Sequence, residues 1–273
     1  MENSPSPAAK QHRALVLRGL RIRRVLAALL LLSGAACLAQ SPITIYLAGD
    51  STMAEKLPIK RPETGWGEFL QQAFDSKQIQ VENHAKNGRS TRTFIAEGLW
   101  QAIIERLNPG DYVFIEFGHN DEVPEKVDRY TPPPDFEKNL VRMVKDVREK
   151  KAIPVLLTPV MRRNFDASGE FVDKHGVYPD LTRSVAQQLS VPLIDMHRKS
   201  ESVLKQYGEA GSRKLFLQLK PGENENYPNG ITDNTHFNPF GAHIMAGLAV
   251  DGIREAKLDI GKYLKVEASA AKQ

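Results

Sequence analysis

The stretch Ile43-Thr44-Ile45-Tyr46-Leu47-Ala48-Gly49-Asp50-Ser51 is the point around which this chain is organised. Its apolar run stops abruptly at Gly49-Asp50-Ser51. A short run that is rich in β-branched and aromatic residues and closed by turn-formers is typical of a buried strand. Open α/β sheets bind their ligands just beyond the carboxyl ends of parallel strands. Ser51 is therefore a candidate nucleophile, although the same tripeptide is also an ordinary turn or helix N-cap sequence.

Segments with the character of strands alternate with helical stretches along the rest of the chain. Such alternation predicts one parallel sheet with helices on both faces. After the first strand, we expect strands over 79–85, 111–117, 153–158 and 191–196. The spacing of apolar residues predicts helices over 64–74, 91–107, 135–151, 180–189 and from 238 to about 257, with one or two more within 197–218. Residues 162–178 and 220–236 are expected to be long loops.

Residues 1–39 have the pattern of a secretory signal peptide. A basic segment is followed by the apolar residues 25–39, which are too few to span a bilayer and end in small side chains. Two alternatives stay open. The segment could serve as an N-terminal membrane anchor, or Cys37 could carry a lipid, since residues 32–37 loosely resemble a lipoprotein signal.

The basic charge of the chain belongs to this N-terminal segment. Residues 1–39 contain six of the 37 Lys and Arg residues and one of the 33 Asp and Glu residues, which leaves 31 basic and 32 acidic residues and a net charge of −1. The mature protein gives no reason to invoke nucleic acid as a partner. We expect a secreted or periplasmic monomer with one domain over 40–267, a disordered tail over 268–273 and no membrane span after signal removal.

The strand ends and one C-terminal turn contain every residue type that an ester hydrolase needs. Ser51 could attack once His236 takes its proton, because imidazole titrates near neutral pH. Asp233 lies three residues before His236 and could fix the tautomer of the ring. The backbone N–H groups of Ser51 and Gly88 and the amide of Asn120 could bind the developing oxyanion.

Each of these features also has an ordinary structural explanation. Gly88 could simply end a strand, residues 118–121 could form a polar turn, and Asp233 and His236 could belong to a surface turn. The functional hypothesis rests on their order and placement along the chain, because each feature supplies a part of the site that the others lack. His119 and Asp121 are expected to support the loop around Asn120. Asp233 and His236 alone make a weak metal pair, so we predict neither a metal nor a cofactor.

Four blocks of this sequence resemble the SGNH (GDSL-like) hydrolases, in order: Gly49-Asp50-Ser51, Gly88, Gly118-x-Asn120-Asp121 and Asp233-x-x-His236. Further stretches look like the rhamnogalacturonan acetylesterases of carbohydrate esterase family 12. These are residues 49–53, 65–67, 117–121, 220–223 and 233–237. The resemblance implies a flavodoxin-like three-layer α/β/α sandwich with a five-stranded parallel sheet. It also implies removal of acetyl groups from pectic polysaccharide by a serine mechanism, with the roles given above.

Other residues are candidates for binding such a substrate. Trp66 could be a sugar-stacking platform, or equally a core residue of a helix. Arg162, Arg163 and His175 lie in the long loop 162–178, and an Arg can grip a galacturonate carboxylate with two hydrogen bonds. The alternatives for function are an esterase for acetylxylan, another acetylated glycan or a small ester, and a polysaccharide-binding protein without catalysis.

Overall fold

The computed structural model describes residues 41–265. The expectations for the signal peptide, Cys37 and the C-terminal tail lie outside these residues. Five parallel strands form the central sheet in the order β2-β1-β3-β4-β5. Their bounds are β1 Ile43–Gly49, β2 Ile79–Asn83, β3 Tyr112–Glu116, β4 Ile153–Leu157 and β5 Leu193–Ile194. The expected sheet is confirmed, and its strand order is that of flavodoxin-like folds.

Helices cover both faces of the sheet. Along β1, Ile45 and Leu47 point to one apolar cluster, whereas Tyr46 and Ala48 point to another on the opposite face. This alternation gives each face of the sheet its own core, which is the three-layer sandwich that was expected. The helices are α1 Thr91–Ala96, α2 Leu99–Ile104, α3 Pro133–Glu149, α4 Tyr178–Gln188, α5 Met196–Ser212 and α6 Pro239–Glu255. Helices α1–α4 pack on the second cluster, and α5 and α6 pack on the first.

The helix expected over 64–74 is instead two short 3₁₀ turns, Trp66–Glu68 and Leu70–Ala73. The backbone N–H groups of Trp66 and Gly67 donate to the carbonyl oxygens of Thr52 and Met53, at 2.9 and 3.2 Å. A Cβ at Gly65 would lie only 2.1 Å from the Ala54 carbonyl oxygen. The segment therefore packs directly on the backbone that follows Ser51.

Two other segments also differ from expectation. The helix expected over 91–107 breaks at Gly98, whose φ of 76° lies in the left-handed region, and becomes α1 and α2. The expected loop over 220–236 ends in a strand, β7 Ile231–Phe237. This strand pairs antiparallel with β6 Phe216–Leu219, in a region expected to end a helix. The β6–β7 hairpin places Asp233 and His236 on a strand.

Candidate active site

A tight turn after β1 presents Ser51. Asp50 Oδ1 accepts hydrogen bonds from the backbone N–H and the hydroxyl of Thr52, both at 2.9 Å. The Asp50 carbonyl oxygen accepts from the backbone N–H of Ala54 at 3.0 Å. These bonds use the short acceptor side chain of Asp50 to close the turn, as Asp commonly does. Ser51 is left at the carboxyl edge of the sheet, 8% exposed.

The structure brings Ser51, His236 and Asp233 together as a chain of hydrogen bonds. Ser51 Oγ lies 2.8 Å from His236 Nε2, and His236 Nδ1 lies 2.7 Å from Asp233 Oδ2. The second oxygen, Asp233 Oδ1, accepts from the backbone N–H groups of Thr235 and His236, at 2.7 and 2.9 Å. Burial alone would raise the pKa of Asp233, but the bonds from His236 and Thr235 outweigh it and lower that pKa. An ionised carboxylate thus orients the imidazole toward the hydroxyl.

The three predicted oxyanion donors lie at the same cavity. Ser51, Gly88 and Asn120 all line it, together with His236. The backbone N–H groups of Ser51 and Gly88 donate to no acceptor within residues 41–265. Asn120 Nδ2 donates one of its two hydrogens to the Arg89 carbonyl oxygen at 3.0 Å, which orients the amide and leaves the other hydrogen free. Gly88 has a φ of 75°, a conformation that favours glycine.

A cluster of buried polar side chains supports the Ser51 turn from below. Thr52 Oγ1 lies between two carboxyl groups, 2.9 Å from Asp50 Oδ1 and 3.2 Å from Glu116 Oε1. A hydroxyl has one hydrogen, so it can donate to only one of them, and a protonated Glu116 would supply the second bond. Burial, with the neighbouring Asp50 charge, raises the pKa of Glu116 to about 8. Both observations indicate that Glu116 holds a proton at neutral pH.

His119 and Asp121 flank Asn120 and are buried. His119 Nδ1 faces Asp50 Oδ2 at 3.4 Å, and burial lowers the pKa of His119 to about 4, so its ring is neutral. Asp121 Oδ1 accepts from the backbone N–H and the hydroxyl of Thr91, at 3.0 and 2.6 Å. Asp121 thus fixes the loop that carries Asn120 to the start of α1, whereas His119 packs against the Asp50 carboxylate.

Three of the four predicted substrate-binding residues do not line the cavity, so the structure does not support a binding role for them. Trp66 is fully buried and donates from Nε1 to Glu116 Oε2 at 2.8 Å, so neither face of its ring is open to a sugar. Arg163 is 7% exposed and donates to the carbonyl oxygen of Glu209 at 2.6 Å. His175 is 1% exposed, with Nδ1 2.7 Å from Glu122 Oε2 and Nε2 2.9 Å from the Val160 carbonyl oxygen.

Arg162 is the predicted binding residue that does line the cavity. Its guanidinium donates to Glu122 Oε1 at 2.9 Å, to the His119 carbonyl oxygen at 3.0 Å and to Thr235 Oγ1 at 2.8 Å. It therefore ties the strand that carries His236 to the loop that carries Asn120. The sequence hypothesis placed Arg162 at the site but did not foresee this bridging contact.

The cavity has a volume of about 380 Å³ and includes charged residues that the sequence hypothesis missed. They are Lys60, Glu63, Lys126 and Arg129. Lys60 and Glu63 follow β1, whereas Lys126 and Arg129 follow β3. Both loops leave the carboxyl edge of the sheet, where open α/β sheets bind their ligands. Their position after β1 and β3 could therefore have identified these residues from the sequence.

Over residues 41–265, no three His, Cys, Asp or Glu side chains are grouped so that they could hold a metal ion. No helix in that range is both long enough and apolar enough to cross a membrane.

The fold and the hydroxyl–imidazole–carboxylate chain point together to the hydrolases that work through an activated serine. Comparison with family models narrows this class, because residues 47–244 match the model of the GDSL-like lipase/acylhydrolase family. The chain belongs to that family and is a carboxylic ester hydrolase. This confirms the family that the four sequence blocks indicated.

Curated relatives carry more specific names. Rhamnogalacturonan acetylesterase RhgT of Bacillus subtilis is 42% identical over 225 residues, which cover 82% of this chain and 95% of the relative. A rhamnogalacturonan acetylesterase of Emericella nidulans is 32% identical over 222 residues, covering 74% of this chain and 81% of the relative. The similarity thus extends over most of both proteins.

Solved structures share the fold. The crystal structure of protein YxiM from Bacillus subtilis matches with a TM-score of 0.68 and 27% identity, covering 80% of this chain and 58% of that one. Axe2, an acetylxylan esterase from Geobacillus stearothermophilus, matches with a TM-score of 0.57 and 18% identity, covering 83% of this chain and 98% of that one. The likeness to Axe2 shows the fold alone.

Proposed function

We propose that this protein is a carbohydrate acetylesterase that removes acetyl groups from rhamnogalacturonan. The observation that carries the chemistry is the pair of contacts from Ser51 Oγ to His236 Nε2 at 2.8 Å and from His236 Nδ1 to Asp233 Oδ2 at 2.7 Å. These distances are those of a nucleophile, its base and the group that orients the base. Two curated relatives named as rhamnogalacturonan acetylesterases support the choice of substrate.

The geometry supports a two-stage mechanism. Ser51 Oγ attacks the acetyl carbonyl carbon while His236 Nε2 takes the hydroxyl proton. The carbonyl oxygen becomes an oxyanion facing the N–H groups of Ser51 and Gly88 and the Asn120 amide, and one such donor is typically worth about 3 to 4 kcal/mol of barrier. The bond to the sugar oxygen then breaks, His236 returns the proton to that oxygen, and the acetyl group remains on Ser51.

The second stage releases acetate. His236 Nε2 accepts a proton from a water molecule as that water attacks the acetyl-enzyme. The bond to Ser51 Oγ breaks, and the proton returns to the serine. Asp233 stabilises the imidazolium in both stages, because its Oδ2 faces the Nδ1 hydrogen. The cavity is open, which suits an acetyl group carried on a polymer.

The charge around the cavity favours an acidic polymer. Four basic side chains form what we call the basic rim: Lys60, Lys126, Arg129 and Arg162. Glu63 of the cavity wall pairs with Lys56 at 2.9 Å, and two of the rim cations are paired as well, Arg129 with Asp128 at 3.2 Å and Arg162 with Glu122 at 2.9 Å. Lys60 and Lys126 form no ion pair within residues 41–265, so they outnumber the one remaining carboxylate of the wall, Asp233. A rim with excess positive charge attracts the galacturonate carboxylates of pectin more than a neutral xylan. Secretion, as residues 1–39 suggest, would bring the enzyme to such a polymer.

The test measures acetate released from acetylated rhamnogalacturonan, acetylxylan and a small chromogenic acetate ester. The expected result is a clear preference for rhamnogalacturonan, and a loss of roughly 10⁴-fold or more in kcat on every substrate for Ser51→Ala. Activity of Ser51→Ala near that of the wild type would contradict the serine mechanism. Equal or faster acetate release from acetylxylan would contradict the preference for rhamnogalacturonan but leave the serine mechanism in place.

The basic rim is tested by Lys60→Met combined with Lys126→Met. Because these side chains would contact only the polymer, we expect KM for rhamnogalacturonan to rise several-fold, by about 1 kcal/mol of binding, with the small ester unaffected. Lys77→Met removes an exposed cation that precedes β2, at the opposite edge of the sheet, and serves as the control. An unchanged KM in the double variant would refute the role of the rim.

A further inference from the structure

A buried lysine lies directly behind the proposed oxyanion hole. The Lys56 side chain is 0% exposed. Its ammonium donates to the Ser51 carbonyl oxygen and to Asn87 Oδ1, the latter at 2.8 Å, and pairs with Glu63 Oε1 at 2.9 Å. An ammonium has three hydrogens, so these three acceptors satisfy it completely. Burial lowers the pKa of Lys56, and the Glu63 carboxylate opposes this shift.

The three acceptors belong to three separate parts of the site. Ser51 is the proposed nucleophile at the end of β1. Asn87 immediately precedes Gly88, so the peptide between them carries the Gly88 N–H. Glu63 forms part of the cavity wall. The loops after β1 and β2 also share a backbone bond from Lys86 N–H to the Gly49 carbonyl oxygen, at 3.0 Å, but that bond lies nearer the strand ends.

We propose that Lys56 is a positioning residue of this esterase. Its ammonium holds the Ser51 main chain and the Asn87–Gly88 peptide at the spacing that the two backbone donors need. Preorganised donors stabilise an oxyanion without reorganisation during the reaction, so a looser spacing reduces their effect. Lys56 does not touch the reacting atoms, and its role rests on the proposed function of Ser51.

The first test compares Lys56→Met with the wild type on a small chromogenic acetate ester. We expect kcat to fall about tenfold or more while KM stays within about twofold, because the donors act mainly in the transition state. Lys199→Met is the matched control. It removes another largely buried lysine, 18% exposed and paired with Glu255 at 2.6 Å, away from the cavity. Thermal melting of both variants measures any loss of stability separately.

A purely structural role would lower the melting temperature of Lys56→Met but leave the kcat of the folded enzyme unchanged. That result would overturn the proposal, as would a loss that appears only in KM. Asn87→Ala keeps the charge of Lys56 and removes one hydrogen bond of its ammonium, the bond to Asn87 Oδ1. Because Asn87 is exposed, this variant can carry the test even if Lys56→Met does not fold.

Asn87→Ala is also expected to lower kcat. The variant that combines Asn87→Ala with Lys56→Met should be no slower than Lys56→Met alone. Independent, additive losses would show that the two residues do not act through their shared contact and would refute the proposal. The small ester keeps this result separate from the polysaccharide assignment. An inactive wild type refutes the esterase itself, whereas an active wild type with an equally active Lys56→Met refutes only the role of Lys56.

Discussion

Asp233 shows how one side chain can serve both the fold and the proposed chemistry. One carboxylate oxygen faces the His236 ring, and the other accepts two backbone N–H groups of the same strand. The backbone bonds fix the carboxylate before substrate arrives, so that its position does not depend on the charge of the imidazole. The three-residue spacing of Asp233 and His236 is productive because the bonds from Oδ1 to the main chain of β7 hold Oδ2 against the His236 ring.

Asp233→Asn should therefore preserve the backbone contacts and damage the orientation of the ring. The amide can present a hydrogen to Nδ1 and so favour the wrong tautomer of His236, which we expect to lower kcat by about 10³- to 10⁴-fold. The measurement is kcat on the small acetate ester. Asp251→Asn removes a carboxylate that pairs with Arg254 on α6 at 2.9 Å, and should leave activity unchanged. Comparable rates for the two variants would contradict the assigned role of Asp233.

At the element scale, the β6–β7 hairpin is the feature that positions the base. It is held to the rest of the domain at its open end, where β6 begins and β7 ends. Thr64 N–H donates to the Phe237 carbonyl oxygen at 2.9 Å, and Asn238 caps α6 while donating from Nδ2 to the Phe216 carbonyl oxygen at 3.0 Å. Helix α6 packs closely against the start of β6, because a Cβ at Gly241 would lie 1.9 Å from the Leu215 carbonyl oxygen.

Gly241→Ala should separate α6 from the hairpin. A backbone oxygen cannot move aside as a flexible side chain can, so we expect a loss of about 3 kcal/mol in the free energy of unfolding and a reduced kcat. Gly211→Ala is the control, since its Cβ would come no closer than 3.8 Å to Tyr207. Urea unfolding and esterase assays measure both effects. If both variants unfold at the same urea concentration as the wild type, the close packing is not required.

At the scale of the whole molecule, buried ionisable groups beneath the site link its architecture to pH. Unfolded glutamate loses its proton near pH 4.5, whereas Glu116 in the folded protein keeps it up to about pH 8. The folded state then binds more protons than the unfolded state, and stability falls as pH rises. His119 has the opposite effect, because its pKa is lowered from 6.5 to about 4, so its contribution is lost as pH falls below 6.5.

Between pH 6.5 and 8, the Glu116 effect is therefore largely unopposed. We expect the free energy of unfolding to fall by about 2 kcal/mol across this window. Asp121, whose pKa burial raises to about 7, adds to the fall only in its lower part. Urea unfolding at both pH values measures the change. Glu116→Gln, which cannot ionise, should remove most of it, and an equal fall in that variant would show that other groups are responsible.

Local sequence patterns predicted the central sheet and the residue types of the proposed active site. Strand periodicity and turn-formers are local, so the run 43–51 and its four successors could be recognised without knowledge of their partners. The same local patterns misled where the backbone serves a distant segment. Residues 64–74 have helical spacing, but Trp66 and Gly67 are held against the backbone that follows Ser51. The N–H groups after them bond three residues back, so two 3₁₀ turns form in place of an α-helix. The β6–β7 pairing was missed because its contacts join separated strands.

Which of these side chains meet depends on contacts between distant parts of the chain. Ser51 and His236 lie 185 positions apart and approach to 2.8 Å because the hairpin folds over the carboxyl edge of the sheet. Charge alone could not separate Arg162, which lines the cavity, from its neighbour Arg163, which is buried against α5. The sequence gives the type and order of the residues, whereas the burial and orientation of their side chains depend on long-range packing. That packing places Lys56, unremarkable in the sequence, behind Ser51 and Asn87.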